Sequence, residues 1–222
     1  LIIGSGGREH AFAWKLKQSE NLKELFIALG NAGTADLGTN VDLSVTDFDG
    51  IKKFVLDNNI EMVVVGPEAP LVEGIHDFFL ANKEIANIPV IGPDKEGAQL
   101  EGSKDFSKQF MMKYGIPTAK YQTFTKDTLK EGQDFLTTLE PPFVLKADGL
   151  AAGKGVYICK DMRNASEAVE EIFNGKFGKA EKILIEEFLE GEEMSFFIIS
   201  DGKTFRKFNT AQDHKRVGVG DT

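Results

Sequence analysis

Up to Pro93, short apolar runs alternate with longer segments whose apolar residues recur every three or four positions. Leu1–Ile3, Leu25–Leu29, Met62–Val65 and Pro89–Ile91 predict strands. The stretch after Gly7 through Lys17, Phe48–Asn58 and Leu71–Lys83 predict helices. Strands that are apolar at nearly every position, spaced by helices, predict a parallel sheet covered on both faces. Beyond Pro93 the order changes. A helix over Lys104–Tyr114 is capped by Ser103 and stopped at Gly115-Ile-Pro117. Strands at Lys120–Phe124 and Phe143–Lys146 flank a helix at Leu129–Leu139, and another helix covers Ala165–Phe173. Three more strands follow at Ile183–Glu186, Met194–Ser200 and Thr204–Asn209, the last two joined by an Asp201-Gly202 turn. The expected fold class is α/β: an open, parallel, Rossmann-like sheet over 1–93, then an α+β region with antiparallel strands over 94–222.

With 222 residues the chain has room for one large or two to three small domains. A net charge of −9 argues against a nucleic-acid surface, whose footprint is basic. Cys159 is the single cysteine, which fits a reducing cytoplasm. No apolar run approaches the ~20 residues that span a bilayer, and no signal-peptide layout opens the chain. The chain starts inside a strand and stops in a loop, so a longer protein truncated at its C-terminus is expected.

The densest chemistry lies in Phe143–Cys159. A strand ends at Lys146, a second starts at Val156, and between them stand Gly149, Ala151, Ala152, Gly153, Lys154 and Gly155. A loop of such small residues brings backbone N–H groups close to an anion, and two lysines supply point charges for phosphate. A Gly-rich hairpin with two solvated lysines fits the same residues. No Ser or Thr follows Lys154 and the loop leads to a strand, so it is not a Walker loop. Near the start, Gly4-Ser-Gly-Gly-Arg-Glu9 begins like a dinucleotide fingerprint but has Glu9 at its last glycine position. The second strand ends in Leu29-Gly-Asn31, where a ribose-binding acid is expected, so a nicotinamide-binding protein is disfavoured. That loop still offers N–H groups at a helix N-terminus to one phosphate, or is a tight turn whose Arg8, Glu9 and His10 are solvated. Ile183–Glu193 carries Glu186, Glu187, Phe188, Leu189 and Glu193, a pattern that suits a nucleoside or an acidic surface hairpin. The three Gly-rich segments at 4–7, 30–33 and 66 all follow strands, the edge where open parallel sheets bind ligands.

Taken together, Lys104, then Lys146 with the 148–156 loop, then Glu186–Glu193 resemble the nucleotide-binding half of an ATP-grasp enzyme. The likeness is closer to the phosphoribosylamine–glycine ligase (glycinamide ribonucleotide synthetase) family. It is carried by Gly-Gly-Arg-Glu-His at 6–10, Gly-Asn-Ala-Gly-Thr at 30–34 and Gly-Pro-Glu-Ala-Pro-Leu at 66–71. Gln-Leu-Glu-Gly-Ser-Lys at 99–104, Lys-Ala-Asp-Gly-Leu-Ala-Ala-Gly-Lys-Gly at 146–155 and Gln-Asp-His-Lys-Arg at 212–216 complete it.

The resemblance implies an ADP-forming, carboxylate–amine ligase of de novo purine biosynthesis. It joins glycine to 5-phosphoribosylamine through a glycyl phosphate. It implies ATP-grasp subdomains within 94–222, with a flap over roughly 117–188. Lys104 and Lys146 are then expected on ATP, with the 149–155 backbone over its phosphates. Glu186, Glu187, Phe188 and Leu189 frame adenine, and Glu193 takes the ribose. Gly6, Gly7, Arg8, Glu9, Asn31, Gly33, Thr34, Gly66, Pro67 and Glu68 are expected on the phosphoribosyl substrate. Asp213, His214, Lys215 and Arg216 are expected at the ligation site. The family's Mg²⁺ or Mn²⁺ ligands are expected beyond residue 222, with none in this stretch. The partners implied are small molecules, without nucleic acid or membrane, and a monomer is favoured. An ATP-grasp carboxylase of purine biosynthesis and a nucleotide-binding fragment without catalysis are the alternatives.

Overall fold

A computed structural model describes residues 1–150, 155–178, 180–212, 214 and 218. Contacts divide the chain into one compact unit, Leu1–Glu187, and a second, Phe188–Thr222.

The first unit opens with a five-stranded sheet. Its strands are β1 (Ile2–Gly4), β2 (Phe26–Leu29), β3 (Thr39–Val41), β4 (Val63–Val65) and β5 (Val90–Ile91). They run parallel in the order β3-β2-β1-β4-β5. The reason for the continuous apolar runs is visible residue by residue. Ile2 and Ile27 enter one core, with Ala13 of α1 (Gly7–Leu16). Ile3, Ala28, Val63 and Val65 enter the other. There they meet Ile51 and Val55 of α2 (Phe48–Asp57) and, beyond α3 (Glu68–Glu73), Ile75 and Phe79 of α4 (Ile75–Ala81). Successive strand residues point to opposite faces, and here both faces are roofed by helix. Each fully buried Ile, Val or Phe among them stabilises the fold by about 1.5–3 kcal/mol. The chain changes direction across the sheet at β1, and the C-terminal ends of β1, β2 and β4 form one rim.

Helix α5 (Lys95–Gly102), capped by Asp94 on Gly97 N, packs on α3. Gly102 permits this, because a Cβ there would lie 2.9 Å from Val72. Helix α6 (Lys104–Lys113) follows at once, capped by Ser103, whose Oγ accepts from Phe106 N at 3.1 Å.

A four-stranded antiparallel sheet comes next, in the order β6-β9-β7-β8. It comprises β6 (Tyr121–Phe124), β7 (Phe143–Ala147), β8 (Val156–Cys159) and β9 (Ile183–Glu187). The helices α7 (Leu129–Leu136) and α8 (Met162–Phe173) share its core through Leu136, Ala165, Ala168 and Ile172. Within the second unit β10 (Met194–Ser195) pairs with β13 (Ala211–Gln212), and β11 (Ile198–Ser200) with β12 (Phe205–Lys207). The Asp201-Gly202 turn is present, with Asp201 Oδ1 accepting from Lys203 N and Thr204 N at 2.9 and 2.7 Å.

Several expected boundaries are corrected. The single helix over 71–83 is two, α3 and α4, because Gly74 adopts φ +100° and ends the first. The strand over 194–200 breaks at Phe196-Phe197 into two differently paired strands. The helix expected at 165 starts at Met162, where Asp161 accepts from Asn164 N. The helix expected to reach Leu139 ends at Leu136. Also not expected were edge strand β3, whose Thr39 and Asn40 are polar, α5, which carries two glycines, and the two-residue strand β13. Among the described residues no helix is long and apolar enough to cross a membrane.

Candidate functional site

The sheet rim is a cross-linked array. Arg8, in the first turn of α1, donates through Nη1 to the Gly66 carbonyl at 2.6 Å and to Glu68 Oε1 at 2.8 Å. This ties the loop after β1 to the one after β4. Asn31 Nδ2 donates to the carbonyl of Ser5 at 2.9 Å and ties in the loop after β2. Its Oδ1 accepts from Gly33 N at 2.8 Å and Thr34 N at 3.1 Å, closing an Asx turn. Asn40, on the unexpected β3, completes the array by accepting from Thr34 Oγ1 at 2.7 Å and donating to Asn31 O at 2.8 Å.

Glu9 sits at the centre of this rim and is buried, not solvated. Its Oε2 accepts the Gly6 N–H at 2.5 Å, so the helix N-terminus is capped by its own carboxylate. A Cβ on Gly66 would fall 1.9 Å from Glu9 Oε1, and one on Gly4 2.6 Å from its Cδ. Glycine at these positions makes the space the carboxylate occupies. Of the other expected rim residues, Gly7 opens α1 and Pro67 is the N-cap of α3.

The second cluster surrounds the base of the Gly-rich loop. Strands β7 and β8 pair up to Lys146↔Val156, and Ala147 N donates to Gly155 O at 2.8 Å. Of the loop between them, residues 148–150 and 155 are described. Asp148 anchors its start. Asp148 Oδ1 accepts from Lys104 N at 2.7 Å, Asp148 Oδ2 from Ser103 Oγ at 3.2 Å, and Asp148 N donates to Lys182 O at 3.1 Å. Lys104 Nζ donates to the Gly149 carbonyl at 2.5 Å. Burial lowers the Lys104 pKa below its ordinary value and the Lys146 charge adds to this, while Asp148, Glu101 and Glu186 oppose it. The Arg8 pKa is raised above its ordinary value chiefly by the hydrogen bond to Glu68, with Glu101 the smallest contributor.

Across the sheet, Lys146 Nζ lies 3.1 Å from Glu186 Oε2, and Lys108 Nζ reaches the same oxygen at 3.2 Å. Glu187 Oε1 accepts from Lys120 N at 2.7 Å, fixing the end of β9. Expected residues Lys104, Lys146, Gly149, Gly155, Glu186 and Glu187 all belong to the first unit. Phe188, Leu189, Glu193 and His214 belong to the second unit, with Leu189, Glu193 and His214 exposed. Ala151, Ala152, Gly153, Lys154, Asp213, Lys215 and Arg216 lie outside the described residues.

The sequence reading missed Lys108, Asp148 as an anchor, and Asn40. Lys108 stands four residues after Lys104, one helical turn on, which is the signal that would have found it. Asp148 lies within the Lys-Ala-Asp-Gly run at 146–149, but its part depends on a helix that starts 44 residues earlier in the chain.

A model of the phosphoribosylglycinamide synthetase N domain matches residues 1–101, and that family's ATP-grasp (A) domain matches 102–222. The chain belongs to the phosphoribosylglycinamide synthetase family. A phosphoribosylamine–glycine ligase from Pasteurella multocida is 49% identical over all of this chain and 51% of its own length. The chain therefore spans about half the length of the curated relatives it matches. The solved phosphoribosylamine–glycine ligase of Thermotoga maritima superposes with a TM-score of 0.78 at 34% identity, covering 100% of this chain and 51% of its own. The N5-carboxyaminoimidazole synthetase of Staphylococcus aureus, solved with ADP, reaches a TM-score of 0.74 at 14% identity. It covers 97% of this chain and 54% of its own, and at that identity shares the fold alone.

Proposed function

We propose that this chain is the substrate-rim and nucleotide-binding part of an ADP-forming ligase that joins glycine to 5-phosphoribosylamine. The observation that carries the reading is family membership from residue 1 to 222, together with lysines 104, 108 and 146 gathered at the base of the Gly-rich loop. Glycine's carboxylate attacks the γ-phosphorus of ATP, an oxygen–phosphorus bond forms, and ADP leaves. The amine of phosphoribosylamine then attacks the acyl carbon, inorganic phosphate departs, and the amide keeps one of the two carboxylate oxygens.

Lys146 and Lys104 neutralise phosphate oxygens in this scheme, and the 149–155 backbone closes over them to exclude water from the mixed anhydride. Glu186, Glu187, Phe188 and Leu189 frame the base, and Glu193 accepts from ribose. At the rim, Arg8, Asn31, Gly33, Thr34 and Glu68 address the phosphoribosyl substrate. Because Glu9 already takes the Gly6 N–H, the rim suits hydroxyl and amine donors at its centre better than a phosphate. Asp213, His214, Lys215 and Arg216 serve the ligation step. Among the described residues no three His, Cys, Asp or Glu side chains gather as a metal site. The Mg²⁺ or Mn²⁺ that accompanies the nucleotide is expected, from the family resemblance alone, on ligands beyond residue 222, and no step here depends on it. The rim domain is taken as 1–93 and the nucleotide-binding region as 94–222, in a cytoplasmic, monomeric protein.

The test is isotopic. With glycine labelled with ¹⁸O in its carboxylate, one labelled oxygen should appear in the released phosphate. Phosphate free of label would rule the glycyl phosphate out.

A further inference from the structure

We infer that Lys108 is a positioning residue that keeps Lys146 free for a nucleotide's phosphates by neutralising the Glu186 carboxylate the two lysines share. This rests on the reading of Lys146 as an ATP lysine and goes one step behind it.

One oxygen, Glu186 Oε2, receives both ammonium groups, at 3.2 Å from Lys108 and 3.1 Å from Lys146. The two lysines differ in what else holds them. The Lys108 side chain is 8% exposed, against 28% for Lys146. Lys108 Nζ donates to Thr118 Oγ1 at 2.7 Å and to the Ala119 carbonyl at 3.4 Å, and it stands 5.2 Å from the centre of the Tyr121 ring. It is fixed from three sides at the bottom of the cluster. Lys146 approaches the same oxygen from the loop side, at the last paired position of the β7–β8 hairpin.

Glu186 is itself buried, and its second oxygen, Oε1, meets no hydrogen-bond donor among the described residues. A buried carboxylate is costly without a compensating cation. Lys108 supplies that cation permanently. One negative charge then faces two positive ones, and the surplus resides on Lys146, the more exposed of the pair. With Lys108 gone, Glu186 and Lys146 would close into a one-to-one buried pair. The charge needed by phosphate would be spent on the protein's own carboxylate. A Lys108 that only filled space under Tyr121 and tied α6 to residues 118–119 would instead weaken every ligand alike.

That difference sets the experiment, run on the full-length protein with ATP and adenosine as separate calorimetric probes. Lys108→Met should weaken ATP about tenfold or more while adenosine changes less than about twofold, because only ATP draws on the Lys146 charge. Adding Glu186→Gln to Lys108→Met removes the carboxylate as well, and should return the ATP-to-adenosine affinity ratio to within about threefold of wild type. Should Lys108→Met fail to fold, Lys108→Gln, which keeps a donor for Thr118 Oγ1 but carries no charge, takes its place in the same comparisons. Unchanged ATP affinity, equal loss for both probes, or no recovery of the ratio in the double variant would overturn the inference. Wild-type protein that binds ATP beside an unaffected Lys108→Met sinks this inference only. Wild-type protein that binds no ATP sinks the site reading with it.

Discussion

Asp148 Oδ1 accepts the backbone N–H of Lys104 at 2.7 Å, although the two residues lie in different layers of the fold. The contact places a carboxylate at the N-terminus of α6 and fixes the start of the Gly-rich loop against it. Asp148→Ala should lower stability by about 0.5–2 kcal/mol, the range for losing a helix cap. It should also weaken ATP, because Lys104 Nζ reaches back to the Gly149 carbonyl just beyond. Thermal melting and calorimetry on the same variant check both effects, and an unaltered melt would detach the loop from the helix.

Beyond that anchor Gly149 has φ +100°, and among the described residues nothing lies within 4 Å of an added Cβ. Gly149→Val meets backbone strain of about 1–2 kcal/mol at this left-handed angle. Turnover should therefore drop by a larger factor than stability alone accounts for. A variant with full kcat would show that this angle does not matter to loop closure.

The rim makes a sharper steric forecast. A Cβ on Gly66 would lie 1.9 Å from Glu9 Oε1, so Gly66→Ala must displace a buried carboxylate that caps α1. We expect a loss of about 1–3 kcal/mol and weaker binding of glycinamide ribonucleotide, with ATP affinity retained. Loss of ATP and ribonucleotide in equal measure would point to general unfolding instead.

Asp105 is one carboxylate whose contribution to stability is lost at low pH. Burial pushes its carboxyl up, but hydrogen bonds from Lys182 at 2.5 Å and Thr123 at 2.8 Å, with Gln109, hold it below its ordinary 3.8. A carboxylate depressed in the folded state contributes stability above pH 3.8, and that contribution is lost as pH falls through the lower folded value. Lys182 works the opposite way. The Asp105 hydrogen bond raises its pKa above 10.5, so its share is present below 10.5 and lost as pH climbs past the folded value. Melting temperatures of Asp105→Asn should thus fall less steeply than wild type between about pH 4 and pH 2. Parallel curves would contradict the assignment.

The parallel sheet and its helices were legible because burial on two faces leaves runs such as Met62–Val65 with few polar positions. Strand β3 was not, since an edge strand with Thr39 and Asn40 outward carries no such run. Nor was the break at Gly74, where a left-handed glycine interrupts an otherwise periodic stretch. The hairpin around the Gly-rich loop was readable from its own residues. Its anchoring was not, because Asp148 acts on a helix start and Lys182 on Asp105 across long sequence separations. Lys108 hid for a related reason: in Lys104–Lys113 it is one of three lysines, and only the fold turns it inward.

The most direct measurement is phosphate release by the full-length protein given ATP and phosphoribosylamine, with glycine supplied or withheld. Phosphate and ADP should appear in equal amounts only when glycine is present. Release that ignores glycine, or that bicarbonate supports in its place, would contradict the ligase.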